Sequence, residues 1–366
     1  MRKSTMRIVC TAMCAVLLGT TGCSSGNAGK TGGSEPASKT ESSAGTAGAA
    51  KAGEGDKAGD KTGDKAGGEA KLDKPITVTV PFKVGSATDV RARIIMDYAS
   101  KSLGQTVTIY NAPGAAGMIG ITEMMGKNSK NYELSYCTTA IFTSIPLFNQ
   151  TAYTKDDIIP LVSTDTEQFG MFACPEKSGI STYEDVKNYS GRIKYATGAP
   201  GSMGHIMCAT SMLLLGLDAD HIVTDGASVN LSECLGGSND LAFAGLGLAK
   251  DYVKEGKLVP VYTFNEEDYE GYDGFKVPSL KSLGADFACE SLLFFGARKD
   301  TPDEAVQIIT ESIKEALENE ECRQKLLDAG VMEIDMRDGD TIKSHMDEEL
   351  EKFKQYGPEI GLQLVG

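Results

Sequence analysis

Ile76-Thr77-Val78-Thr79-Val80, followed by Pro81-Phe82-Lys83-Val84-Gly85-Ser86-Ala87-Thr88-Asp89, is the stretch on which the fold is read. Alternating β-branched residues make a strand, and the small residues after it open a helix. Thr88 is placed to cap that helix. Val90, Ile94, Ile95 and Leu103 then recur at helical spacing until Gly104 stops it. The same unit returns twice. Thr106–Ile109 leads through Asn111-Ala112-Pro113-Gly114-Ala115-Ala116-Gly117 into a helix reaching about Gly126, and Ile193–Thr197 leads into Gly198-Ala199-Pro200-Gly201-Ser202-Met203-Gly204-His205. Further strands read at Glu133–Cys137, Ile222–Thr224, Leu241–Ala244 and Val259–Phe264. Strands alternating with helices predict an α/β protein. Late in the chain, Thr301-Pro302-Asp303-Glu304 reads as a cap, a first-turn proline and a capping-box Glu ahead of Val306, Ile309, Ile313 and Leu317.

The joining loops are the informative feature. A helix start offers unpaired N–H groups and about half a positive charge, so an anion is held there without Lys or Arg, and small side chains let it reach the backbone. One such loop is equally well a tight turn between strand and helix; three shift the balance toward an anion site. Each side chain also has a plainer role. Thr88 serves as a cap, Asp89 as a first-turn acid, His205 as a hydrogen-bonded structural residue and Asp225 as part of an Asp-Gly turn. Tyr136, Phe142, Phe169 and Met203 belong to the cleft or to the core.

Charge and composition narrow the classes. The 366 residues carry 36 Lys+Arg against 51 Asp+Glu, a balance of −15 that excludes binding by phosphate neutralisation, so no nucleic-acid partner is expected. The imidazoles of His205, His221 and His345 have no metal-ligand spacing, and neither a metal nor a cofactor is expected. Arg2, Lys3 and Arg7 precede an apolar run from Ile8 to Leu18, the pattern of an export signal. Leu18-Gly19-Thr20-Thr21-Gly22-Cys23 closes it and resembles a lipobox, which makes Cys23 a lipid-anchor candidate. Residues 24–74 hold eight Lys, eight acids and Leu72 as their one large aliphatic, and read as a disordered tether. The globular remainder, 75–366, carries 25 basic and 43 acidic residues. Its six cysteines, at 137, 174, 208, 234, 289 and 322, sit mostly in apolar runs and are expected as buried thiols.

The loops resemble those of the solute receptors of tripartite tricarboxylate transporters, the Bug family, and the resemblance covers roughly 75–366. The family's Pro-Phe-x-x-Gly-Gly-x-x-Asp is met by Pro81, Phe82, Gly85 and Asp89, with Ser86 at the second glycine. Its Asn-x-Pro-Gly-Ala-x-Gly-x-x-Gly is met by Asn111, Pro113, Gly114, Ala115, Gly117 and Gly120. Its Gly-x-Gly-Ser-x-x-His appears as Ala199, Gly201, Ser202 and His205. The resemblance implies a type II periplasmic-binding-protein fold, with two α/β lobes joined by crossing strands and a ligand in the interlobe cleft. Lobe one would take 75–169 plus 291–366 and lobe two 170–290, with crossings near Phe169–Ala173 and Leu292–Ala297. By position, the ligand residues it implies are Gly85, Ser86, Ala87, Thr88, Asn111, Gly114, Ala115, Ala116 and Gly117, joined by Thr138 and Thr139. From the other lobe come Ser202, His205 and Asp225. The expected partners are a small carboxylate ligand, membrane permease subunits and, through the anchor, the membrane; the chain is expected as a monomer.

Two other classes remain open on the residues alone. A co-receptor for a sensor kinase would bind the same ligand and dock elsewhere. An enzyme would need a nucleophile and base in the cleft; Ser86, Ser202 and His205 supply the residue types, without a Gly-x-Ser-x-Gly elbow.

Overall fold

The computed structural model describes residues 71–272 and 275–365. The expected export signal, Cys23 and residues 24–70 of the expected tether lie outside the described residues. Residues 71–74 do not behave as tether. Leu72 is 5 % exposed within a hydrophobic core, its carbonyl accepts from Gln105 Nε2, and Asp73 accepts from the Tyr132 hydroxyl, so the fold begins ahead of Pro75.

Twelve strands are described: β1 Ile76–Val80, β2 Val107–Asn111, β3 Tyr132–Thr138, β4 Ile158–Glu167, β5 Phe169–Ala173, β6 Ile193–Thr197, β7 Ala219–Val223, β8 Leu241–Gly245, β9 Val259–Thr263, β10 Tyr269–Tyr272, β11 Phe275–Val277 and β12 Ser291–Arg298. Ten of them form two mixed five-stranded sheets, ordered β2-β1-β3-β12-β4 and β7-β6-β8-β5-β9, and β10 pairs with β11 as a separate ribbon. In the first sheet β1 lies parallel to β2 and β3, while β12 runs antiparallel to β3 and β4. The second repeats that plan, with β6 parallel to β7 and β8, and β5 antiparallel to β8 and β9. Each sheet carries the helices of one α/β lobe, as the fold class predicts.

The chain passes between the sheets at Gln168, between β4 and β5, and returns after β11. The expected crossing segments, Phe169–Ala173 and Leu292–Ala297, are strands that follow directly on these passages, the first starting next to Gln168 and the second lying in β12. Both are fully buried, as an apolar run with sheet partners on both edges is. Both faces of each sheet are covered. Ile95, Phe295 and Ile309 fill one side of the first and Ile121, Phe142 and Phe294 the other; each such fully buried side chain contributes about 1.5–3 kcal/mol.

The last helix, Gly339–Glu359, does not stay on lobe one. Phe353 is buried in the lobe-two core and Lys352 Nζ donates to the Ala288 carbonyl. The helix at Asp303 also starts otherwise than expected. Pro302 occupies the cap with no side-chain hydrogen bond, and its carbonyl accepts from Val306, so Thr301 lies one residue too early to cap. All six described cysteines are buried and unpaired. No helix among the described residues is long and apolar enough to cross a membrane.

Candidate functional site

The first loop is held by its own acid. The helix Ala87–Leu103 is capped by Ser86, whose hydroxyl accepts from Asp89 N at 3.3 Å; the expected cap, Thr88, lies in the first turn instead. Its buried face is Ala92, Ile95, Met96, Ala99 and Leu103, and Val90 is exposed. Asp89 reaches back to accept from Gly85 N at 2.8 Å, which requires the positive φ of +80° that glycine adopts freely. Its other oxygen accepts from Asn111 Nδ2 and Arg93 Nη2. Burial raises the Asp89 pKa, and the bonds from Arg93, Gly85 and Asn111 outweigh it, leaving the carboxyl below its ordinary value. Asn111 is fully engaged, since it also donates to the Phe82 carbonyl and accepts from Arg93. It positions the loop and has no free group for a ligand.

The second loop takes its shape from four successive residues at positive φ, Gly114 through Gly117. Glycine relieves only the outer two; Ala115 and Ala116 hold φ of 45° and 54° at a cost of order 1 kcal/mol or more each. A Cβ on Gly117 would meet Ile141 Cδ1 at 2.5 Å, and one on Gly120 the Ala112 carbonyl at 2.5 Å. The space beside Gly117 is therefore filled by protein rather than left for a ligand. No side chain caps the helix Met118–Gly126 that follows.

Lobe two repeats the first loop with different chemistry. Ser202 caps the helix Met203–Leu214 by accepting from His205 N at 3.3 Å, and His205 Nδ1 accepts from Gly201 N, whose φ is +82°. The His205 ring lies 4.5 Å from that of His221. Burial, then the neighbouring imidazole, lowers its pKa to about 4, so it is neutral at pH 7 and serves as a structural residue.

Both lobes face a cavity of about 270 Å³. Phe82, Thr88, Ala116, Thr138 and Ser144 line it from lobe one, and Phe169, Ser202, Met203, Gly204 and Phe243 from lobe two. Met203 and Gly204 are the first two residues of their helix, and Thr88 is the second of its own, so these amides have no partner within the helix. A larger cavity of about 980 Å³ adjoins it, lined by Gly85, Ser86 and Ala87 and, from lobe two, by Leu246 and Tyr269. Glu167 lines both.

The structure thus gathers Thr88, Ala116, Thr138 and Ser202 around the smaller cavity and Gly85, Ser86 and Ala87 around the larger. Asn111, Gly114, Ala115, Gly117, Thr139, His205 and Asp225 line neither. Thr139 is fully buried and donates to Glu349 Oε1 of the last helix at 2.8 Å, so its hydroxyl hydrogen is already taken. Gly114 abuts Ile119, and Asp225 is exposed. Of the aromatic and Met candidates, Phe169 and Met203 reach the cavity while Tyr136 and Phe142 are core. Sequence reasoning missed Glu167 and Ser291, which come from strand ends, and Phe243, from the middle of β8. Strand pairing sets Ser291 opposite Glu167 and so brings these two to the cleft.

A family model described as "Tripartite tricarboxylate transporter family receptor" matches residues 91–362. The chain belongs to that family. Among relatives of the receptor, a Cupriavidus necator protein, "UPF0065 protein in gbd 5'region", is 28 % identical over 269 residues, covering 70 % of this chain and 80 % of that one. "Protein BugT" of Bordetella pertussis is 22 % identical over 298 residues, with 80 % and 90 % covered. Among solved structures, an R. palustris protein with adipate superposes on the receptor with a TM-score of 0.68 at 19 % identity, covering 79 % of this chain and 98 % of that one. The receptor's two-lobe fold is that of periplasmic solute-binding proteins, and its family is one of receptors rather than of enzymes.

Proposed function

We propose that this receptor captures a small carboxylate in the interlobe cleft outside the cytoplasm and delivers it to a tripartite tricarboxylate-type permease. One observation carries the reading: a helix start on each lobe, at Thr88 and at Met203-Gly204, faces a cavity that no Lys, Arg or His lines among the described residues. Such a site holds an anion through amides and hydroxyls, with aromatic faces for the remainder of the ligand. The relative whose structure contains adipate supports the ligand class. Because both lobes supply donors, a ligand gains its full set of contacts only when both engage it, so binding favours a closed state.

Calorimetry across mono-, di- and tricarboxylates and amino acids tests this, followed by small-angle scattering and mass spectrometry on a hit. The expected result is saturable binding, a smaller radius of gyration and a ligand recovered unaltered. Failure of every acid to bind overturns the carboxylate reading, an unchanged radius removes closure, and a converted ligand moves the chain to the enzyme class. Lipid anchoring at Cys23, monomeric state and the choice of permease over sensor kinase as docking partner belong to the same proposal. Cys23→Ala is expected to leave the membrane fraction with ligand binding unchanged.

A further inference from the structure

Glu167 is the one ionisable side chain lining the 270 Å³ cavity among the described residues. It ends β4 at the passage between lobes, half-buried, and no donor among the described residues bonds to either of its oxygens. It lies close to lobe two, since a Cβ added at Gly245 would stand 2.9 Å from its Oε1. Nearby charge offers little relief. Arg91 is committed to Asp165 through an ion pair of 2.8 Å, so its charge is largely cancelled. Burial pushes the Glu167 pKa upward, Arg91 draws it down and Asp165 pushes it up again.

A partly desolvated carboxyl without a donor is costly in a site that must also hold an anion. Binding a plain dicarboxylate beside it would set three carboxyl groups together with no cationic side chain lining the cavity among the described residues. An ammonium group on the ligand gives Glu167 its missing partner, while the ligand's carboxylate takes the amides of Thr88, Met203 and Gly204. We propose that Glu167 sets the ligand class of this receptor: a carboxylate that also bears a protonated amine, with the ammonium paired to Glu167. This rests on the carboxylate reading of the cleft and narrows it.

The test uses the purified full chain and acid pairs that differ only in the amine, alanine with propionate, aspartate with succinate and glutamate with glutarate, titrated by calorimetry. In at least one pair the amino member is expected to bind tenfold or more tighter than its partner. Glu167→Gln, which keeps the shape and removes the charge, is expected to abolish that preference. Glu167→Asp, which restores the charge on a shorter arm, is expected to retain part of it should the Gln variant fold poorly. Equal or tighter binding of the deaminated acids, or an amine preference that survives Glu167→Gln, overturns the proposal and leaves the carboxylate reading standing. Failure of all six acids to bind wild type overturns the proposal, and failure of the tricarboxylates as well overturns the carboxylate reading with it.

Discussion

The helices that begin at Ala87 and at Met203 occupy matching places in the two lobes, each following the second strand of its sheet order. Both start with a glycine near φ +80°, a serine cap at 3.3 Å, and a third helical residue that turns back to the glycine amide. That residue is Asp89 in lobe one and His205 in lobe two. Asp89 brings a negative charge into the first turn and needs Arg93 and Asn111 to hold it, whereas His205 is neutral and needs only the His221 ring beside it. The same backbone device is thus balanced by an ion pair on one side and left uncompensated on the other. The lobe-two helix start keeps its full positive end toward the cavity.

The largest effect that would break this comparison lies in the next pair of helices. Both start after a glycine that no side chain replaces as cap, Gly117 at φ +96° and Gly226 at φ +139°. Gly117→Val drives its Cβ into Ile141 as well as straining the backbone, and is expected to cost about 4 kcal/mol. Gly226→Val meets nothing within 4 Å and carries the strain alone, about 1–2 kcal/mol. Urea unfolding of the two variants checks the order, and equal losses would show that packing does not distinguish the lobes here.

The next effect concerns the acid. Asp89→Ala leaves Arg93 without its carboxylate and the Gly85 and Asn111 donors without an acceptor. Because Arg93 is half-exposed, the expected loss is about 2–3 kcal/mol rather than the full cost of a broken buried pair. His205→Ala removes one acceptor and some packing, and is expected to cost about 1–2 kcal/mol. Thermal melts at one pH decide whether the charged start is the more fragile.

The smallest and sharpest test is pH. The His205 pKa in the fold, about 4, lies below its ordinary 6.5, so between these values the unfolded chain binds a proton that the folded chain does not. Stability from this residue is complete above pH 6.5 and falls as pH drops toward 4, by about 1–3 kcal/mol. His345 acts with the opposite sign. Burial lowers its pKa, but Glu349, 3.2 Å away, raises it further, so its contribution is present in acid and is lost as pH rises through its raised value. Unfolding free energies of wild type and His205→Gln, measured at pH 7 and pH 5, isolate the lobe-two term. A wild-type minus variant difference that does not shrink on acidification would refute a neutral buried His205.

The strand, loop and helix units were legible because their signals are local. β-branched alternation in 76–80, small residues before each helix and the stop at Gly104 act within a few residues of one another, and Gly104 does hold the left-handed cap its type predicts. The loop residues facing the cleft were legible to the same extent, as Thr88, Ala116, Thr138 and Ser202 attest. What misled was chemistry with two possible destinations. The amide of Asn111 and the hydroxyl of Thr139 suit a ligand as well as they suit Asp89 and Glu349, and the residue type alone does not choose between them.

The sequence by itself determined an acidic α/β protein whose helix starts are built from small residues, because periodicity and backbone preference are written in short segments. The tertiary structure decided which of those starts meet, since β12 and the last helix bring residues more than a hundred positions away against the first lobe's loops. It also decided the charge of the cleft. Glu167 reaches the cavity only because antiparallel pairing with β12 sets the end of β4 between the lobes, and no pattern near residue 167 encodes that partner.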